Sequence, residues 1–172
     1  METLETISKR HSVRQYTTQG VEEEKIGKII EAAQAAPVGM GQYNTMHLTV
    51  VQSPEVLAAL TEAGKTAFGG RNLIYGAPAL VIVSTKPSEQ VPGMEKLGAA
   101  TIMENMILAA TDMGLGSVFL LAICAALAQN PDIMKQLQIP EGFVPTAVMA
   151  LGYGSNGSRL RCNGGKRCQA YH

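Results

Sequence analysis

The sequence predicts an α+β domain in which a sheet is flanked by helices. Helical and strand-like segments follow one another without the regular βαβ order that a doubly wound parallel sheet requires. Residues 79–85 read ALVIVST, a β-branched run apolar enough for an internal strand. Residues 98–113 form a helical pattern that is apolar nearly all round, so most of its faces need cover. The 172 residues fit one domain spanning residues 1–172.

In the first half of the chain, hydrophobic spacing and capping residues predict four elements. These are a short helix before Arg10, an amphipathic helix over residues 22–36, a strand over residues 46–52 and a helix from Pro54 to about Ala63. Pro37 ends the second helix, and Ser53 precedes Pro54 as an N-cap residue precedes a proline at the first helical position.

The second half predicts a glycine-rich loop and further elements of both kinds. They are a loop over residues 64–76, the strand over 79–85, the helix over 98–113, a short helix capped at Asn130 and Pro131, and a strand over 144–153. Cys124 falls in an apolar helical stretch and is predicted to be a buried small hydrophobe.

Composition argues against several classes of partner. Fourteen basic and 14 acidic residues give a net charge of zero, which predicts neither nucleic acid nor a membrane surface as a partner. Three cysteines and an acidic, polar amino terminus favour a reducing, cytoplasmic setting. The longest nearly apolar run, residues 115–128, is too short to cross a bilayer.

The carboxyl-terminal residues concentrate positive charge. From residue 155 onwards the chain carries four basic residues and no acid, namely Arg159, Arg161, Lys166 and Arg167. They form either a solvated tail or an anion clamp. Cys162, Cys168 and His172 lack a paired C-x-x-C knuckle and a fourth ligand nearby, so we predict no metal site.

The chain lacks the usual catalytic motifs, since it contains no G-x-S-x-G, H-E-x-x-H or Walker-type loop. Any reaction would therefore be carried by a cofactor. Directly after the first helix, Arg10 and Arg14 flank Ser12. Two guanidinium groups four residues apart, with a hydroxyl between them, can surround a phosphate and a second electron-rich group. Alternatively, both arginines cap the helix or pair with surface acids such as Glu22 to Glu24.

Residues 10–16 read R-x-S-x-R-x-Y, which resembles the opening motif of the nitroreductase family of FMN-dependent NAD(P)H oxidoreductases. Four further segments resemble the family's later motifs in the same order, and the basic tail sits where the family keeps phosphate-binding cations. The segments are APVGMG at 36–41, GAPALVIV at 76–83, ENMILAA with GLGS at 104–117, and VP through LGY at 144–153. The resemblance spans essentially the whole chain.

This resemblance implies a mixed, largely antiparallel sheet in a homodimer with shared active sites. It also implies bound FMN that carries hydride from NADH or NADPH to a small acceptor such as a nitroaromatic or a quinone, with no catalytic side chain. Arg10, Lys166 and Arg167 would hold the FMN phosphate beside His11 and Ser12, and Arg14 would face the pyrimidine edge. Pro37, Val38, Gly39, Met40 and Gly41 would lie along the isoalloxazine. The turn containing Ser117, Phe119, Leu120 and Leu121 would pass its other side.

The chain also departs from the family pattern. Gly41 and residues 43–45 replace the asparagine and the Q-P-W of the flavin loop, which leaves backbone contacts there. Arg71 and Asn72 are the candidates for the ribityl contact. Two other functions stay open, a non-catalytic flavin-binding protein on the same scaffold and a basic-tailed interaction module without flavin. The electron acceptor and the choice between NADH and NADPH also stay open.

Overall fold

Four strands form one sheet in the order β1–β2–β4–β3, and every neighbouring pair of strands is antiparallel. A computed structural model describes residues 2–155 of the chain. The strands are β1 (Met46–Val51), β2 (Ala79–Thr85), β3 (Gly116–Leu120) and β4 (Val144–Gly152). The predicted α+β class and the largely antiparallel sheet are therefore confirmed.

Six α-helices accompany the sheet within residues 2–155. They are α1 (Thr3–Lys9), α2 (Glu23–Gln34), α3 (Pro54–Ala67), α4 (Met94–Asp112), α5 (Ala122–Ala128) and α6 (Pro131–Gln136), with short 3-10 turns at Gly39–Gly41 and Tyr43–Thr45. The predicted caps are confirmed, because the Ser53 hydroxyl accepts from the Val56 N–H and the Asn130 side-chain Oδ1 accepts from the Ile133 N–H. None of these helices is long and apolar enough to span a membrane.

The helices cover both faces of the sheet. Successive side chains along a strand point to opposite faces of the sheet, so Val81 and Val83 of β2 pack in a core shared with α2 and α4. Leu80 and Ile82 enter a second core shared with α3, α5 and α6. All seven residues of β2 are buried, which confirms that it is an internal strand.

Three predictions about the elements were wrong in detail. Residues 117–121 were expected to form a turn, but residues 116–120 are β3, because they pair with β4 from Leu120↔Val148 to Gly116↔Gly152. Helix α4 begins at Met94, after Gly93 in a left-handed conformation, rather than at residue 98. Helix α3 continues through Gly64 to Ala67, and the glycine at position 64 packs closely against Leu73 and Ile123.

Helix α4 is covered on most of its surface but not on all of it. Met103 and Met106 are almost fully buried against the sheet, whereas Leu97 is 71% exposed. Ala100 and Glu104 are exposed one and two turns further along. The prediction that most faces of this helix are covered is met within the protomer, and one side of α4 stays open there.

Candidate functional site

The arginine-containing segment, residues 10–16, lies along the free edge of β3. The Val13 N–H donates to the Ser117 carbonyl at 2.9 Å, and Ser12 forms a parallel bridge with Ser117. Val13 is 2% exposed and packs onto Gly116, where an added Cβ would lie 2.7 Å from Val13 Cγ2. A glycine at position 116 thus lets the segment approach the strand closely.

Tyr16 anchors the carboxyl-terminal end of the segment. Its hydroxyl donates to the Val13 carbonyl at 2.9 Å and lies 3.3 Å from the Ala150 carbonyl. Burial raises the pKa of the Tyr16 hydroxyl, so Tyr16 stays neutral and remains a donor. Its ring packs on Gly152, where an added Cβ would lie 3.1 Å from Tyr16 Cδ1. Both ends of the segment are therefore held by β3 and β4.

A cavity of about 380 Å³ lies where this segment, β3 and α4 meet. It is lined by Arg10, Ser12, Ala100, Met103, Glu104, Ile107, Ser117, Val118 and Phe119. The Ser117 hydroxyl is buried and has no hydrogen-bond partner within residues 2–155. A buried hydroxyl without a partner carries a free-energy penalty that a ligand can remove.

The charged residues around the cavity leave the Arg10 guanidinium available to bind an anion. Among the described residues, neither Arg10 nor Arg14 forms a salt bridge, and Glu104 forms none with Arg10 across the cavity. Glu22 and Glu24 pair with Lys25 and Lys28, and neither acid forms a salt bridge with Arg10 or Arg14 in the described part of the chain. The capping alternative holds for Arg10, which is the C-cap residue of α1 and donates its backbone N–H to the Thr6 carbonyl. An arginine and two serines that line one cavity are residue types that can bind an anionic group.

Comparison with known proteins identifies the scaffold. The profile of the nitroreductase family matches residues 7–153. The chain belongs to the nitroreductase family. A relative from Methanothermobacter thermautotrophicus, provisionally named NADH dehydrogenase/NAD(P)H nitroreductase, is 32% identical over 89% of this chain and 78% of its own length.

Solved structures of nitroreductases have the same fold. A nitroreductase with bound FMN from Bacteroides fragilis superposes with a TM-score of 0.84 at 32% identity, covering 99% of this chain and 96% of that one. A second FMN-bound nitroreductase, from Desulfitobacterium hafniense, gives a TM-score of 0.84 at 25% identity and covers 92% of each chain. The family assignment therefore rests on sequence and on structure.

The structure brings together four of the predicted site residues, Arg10, Ser12, Ser117 and Phe119, around the cavity. The His11 ring lies outside it, with Nδ1 3.0 Å from the Lys9 carbonyl. Arg14 is exposed, and its guanidinium carbon lies 5.9 Å from the centre of the Tyr75 ring. Leu120 is buried in the core beside α5, and Leu121 is 60% exposed.

The predicted flavin loop, Pro37 to Gly41, lies against the first half of α4. The Thr101 hydroxyl donates to the Pro37 carbonyl at 2.8 Å. Gly39 packs so closely that an added Cβ would lie 2.8 Å from Met94 Cγ. Val38, Met40 and Gly41 complete the loop, and none of its five residues lines the cavity around Arg10. One protomer therefore presents the loop and the arginine segment as separate surfaces.

Other residues of interest fall into two groups. Lys166 and Arg167, like Cys162, Cys168 and His172, lie outside the described residues. Sequence reasoning missed Tyr75, whose left-handed backbone (φ 56°) precedes Gly76, and it missed Glu104 as a wall of the cavity. The turn at Tyr75 could have been predicted from the glycine that follows it. The contact between Tyr75 and Arg14 could not, because it joins segments that are distant in sequence.

Proposed function

We propose that this chain is an FMN-dependent oxidoreductase that uses NADH or NADPH to reduce a small acceptor such as a nitroaromatic or a quinone. The observation that carries the proposal is the cavity lined by Arg10, Ser12 and Ser117, where the buried Ser117 hydroxyl has no hydrogen-bond partner within residues 2–155. Bound FMN would supply the two-electron redox chemistry, and the protein would supply binding, orientation and electrostatics. Both comparison structures described above contain bound FMN.

The residues fit a phosphate at this cavity. Arg10 would contribute a charge-assisted bond, and the Ser12 and Ser117 hydroxyls would donate to phosphate oxygens. Glu104 lines the same cavity, so the charge of Arg10 alone is offset there. A phosphate group there would need further cations, and Lys166 and Arg167 of the basic tail would supply them. Arg71 and Asn72 remain candidates for the ribityl contact.

The flavin ring would lie between surfaces contributed by two chains. Arg14 would stand at its pyrimidine edge, the Pro37–Gly41 loop would offer backbone amides along one side, and the end of β3 with Leu121 would offer the other. The loop and the arginine segment are separate in one protomer, so a site that uses both requires a homodimer. Leu4 is 80% exposed, and the exposed side of α4 carries Leu97, so apolar surface is available for a partner.

Two measurements test this function. Purified protein should show the visible spectrum of oxidised flavin, at one FMN per chain in a dimer by light scattering. It should then oxidise NADH or NADPH in the presence of a quinone or a nitroaromatic. Flavin without NAD(P)H turnover would favour the non-catalytic flavin-binding protein, and a colourless protein that takes up no FMN would favour the interaction module. The cytoplasmic location also remains a prediction from cysteine usage.

The assignment of the phosphate site has its own test. Losing a charge-assisted bond to a buried anion costs about 1.5 to 3 kcal/mol, so Arg10→Ala should weaken FMN binding about ten- to a hundredfold. Riboflavin lacks the phosphate, so its affinity should change much less. Lys28→Ala on α2, where Lys28 pairs with exposed Glu24, is the matched control for loss of a positive charge. Equal losses for FMN and riboflavin in Arg10→Ala would contradict the assignment.

A further inference from the structure

Arg14 is held by one aromatic contact. Its guanidinium carbon lies 5.9 Å from the centre of the Tyr75 ring, within the range of a cation–π interaction. Within residues 2–155, its side chain makes no hydrogen bond and no salt bridge. Its neighbour Val13 is buried and bonded to β3. The backbone beside Arg14 is thus fixed, and its guanidinium lies beside the Tyr75 ring, with its charge also acting on the Tyr16 hydroxyl.

Tyr75 is presented by a strained turn. Its φ is 56° and that of Gly76 is 71°, which places two consecutive residues in the left-handed region. A bulky residue other than glycine seldom adopts this conformation, and such strain persists where the surroundings enforce it, often at functional sites. The Ala77 N–H donates to the Ile74 carbonyl at 3.0 Å and closes the turn.

The buried flanks of the turn direct Tyr75 outward. Ile74 is 2% exposed and Ala77 is 3% exposed, whereas Tyr75 itself is 36% exposed. The Asn72 side-chain carbonyl accepts from the Ile74 N–H at 3.1 Å, which fixes the entry to the turn. The Tyr75 ring is therefore presented at the surface by a turn whose flanking residues are buried, and it is not part of the core.

We propose that Tyr75 is a positioning residue that holds the Arg14 guanidinium at the flavin site and thereby sets the reduction potential of the flavin. The proposal rests on the proposed function, in which Arg14 stands at the pyrimidine edge. A cation fixed there favours the negatively charged reduced flavin over the neutral oxidised form. Without the ring, the flexible arginine side chain samples directions that lead away from the site, and this preference weakens.

Two substitutions at position 75 separate the ring from the turn. Tyr75→Phe keeps an aromatic face, whereas Tyr75→Leu removes it, and neither replacement is β-branched, so both carry a similar left-handed backbone. Tyr75→Leu should reduce the preference for reduced over oxidised FMN about threefold, which converts to a midpoint potential about 14 mV lower. Tyr75→Phe should keep the potential of the unmodified protein.

A double-mutant cycle tests whether Tyr75 acts through Arg14. Arg14→Met should reduce the same preference about tenfold, or about 30 mV. In the Arg14→Met background, Tyr75→Leu should cause no further change. Without flavin, the Arg14 Nε–Hε NMR signal should move in Tyr75→Leu and stay in place in Tyr75→Phe.

The outcomes distinguish the two proposals. A protein that takes up no flavin, or whose potential is unaffected by Arg14→Met, refutes the proposed function or the placement of Arg14 within it. A potential that responds to Arg14→Met but not to Tyr75→Leu overturns only the positioning role. Equal shifts in Tyr75→Leu and Tyr75→Phe, or a full Tyr75→Leu shift in the Arg14→Met background, overturn it as well.

Discussion

Gly116→Ala tests the close approach between β3 and the arginine segment. An added Cβ would lie 2.7 Å from Val13 Cγ2 and 3.0 Å from both Val13 Cβ and Val13 Cγ1. Val13 is 2% exposed, and its N–H is bonded to the Ser117 carbonyl, so it has little room to move. Gly116 has no positive φ, so the contact alone makes the substitution unfavourable.

The expected cost follows from overpacking. Inserting a methyl group into a filled site costs about 1 to 3 kcal/mol of the free energy of unfolding. For a protein of this size, a loss of about 2 kcal/mol lowers the melting temperature by roughly 4 to 8 °C. Because Ser12 and Arg10 move with Val13, FMN affinity should fall in the same variant.

Gly27→Ala is the matched control. Gly27 lies in the middle of α2, is exposed, and an added Cβ would meet no atom within 4 Å. The same replacement there should raise the free energy of unfolding by about 0.5 to 1 kcal/mol, because alanine favours the helix. It should leave FMN affinity unchanged.

Relief of the contact provides a second control. Val13→Ala alone should cost about 1.6 kcal/mol, at about 0.8 kcal/mol for each carbon group removed from the core. In the double variant Val13→Ala/Gly116→Ala, the new Cβ at position 116 fills part of that space. The double variant should therefore lose about 1 kcal/mol less stability than the sum of the two single losses. Thermal and urea unfolding are measured for the wild type and the four variants. Strict additivity, or a Gly116→Ala variant as stable as Gly27→Ala, would refute the reasoning.

Two further predictions concern buried polar groups. Ser117→Ala removes a hydroxyl that has no hydrogen-bond partner in the described part of the chain, so the flavin-free protein should keep its stability or gain about 1 kcal/mol, while FMN affinity falls. A loss of flavin-free stability would contradict this. Burial raises the pKa of the Cys124 thiol from 9.0 to about 11. The neutral thiol is therefore favoured in the folded state. Its contribution to the free energy of unfolding is present below pH 9 and is lost as the pH rises towards 11. Unfolding measured against pH should show wild type losing about 2 kcal/mol more than Cys124→Ala over that range.

Local signals predicted much of the fold. The β-branched run gave strand bounds of 79–85, which match β2, and the Ser53–Pro54 pair marked the start of α3. Such features depend on residues that are near one another in sequence, through side-chain periodicity and capping. The motif at residues 10–16 likewise indicated which side chains to examine before any contact was known.

The apolar run at 115–128 shows what the sequence left undetermined. Its composition suits a strand or a buried helix equally, and it divides into β3 and α5 because β4 offers hydrogen-bond partners only to residues 116–120. The side of α4 that stays open was also not predictable, because an all-round apolar pattern does not indicate which face another element covers.

The sequence by itself determined the α+β class, most helices and strands, and the identity of Arg10, Ser12 and Ser117 as candidate ligands. Only the tertiary structure decided that these three side chains share one cavity and that Tyr75 contacts Arg14. The physical reason is that periodicity and caps depend on neighbours along the chain, whereas a binding site depends on strand register and close glycine contacts between distant segments. At Gly116, the absence of a single Cβ lets the arginine segment reach β3.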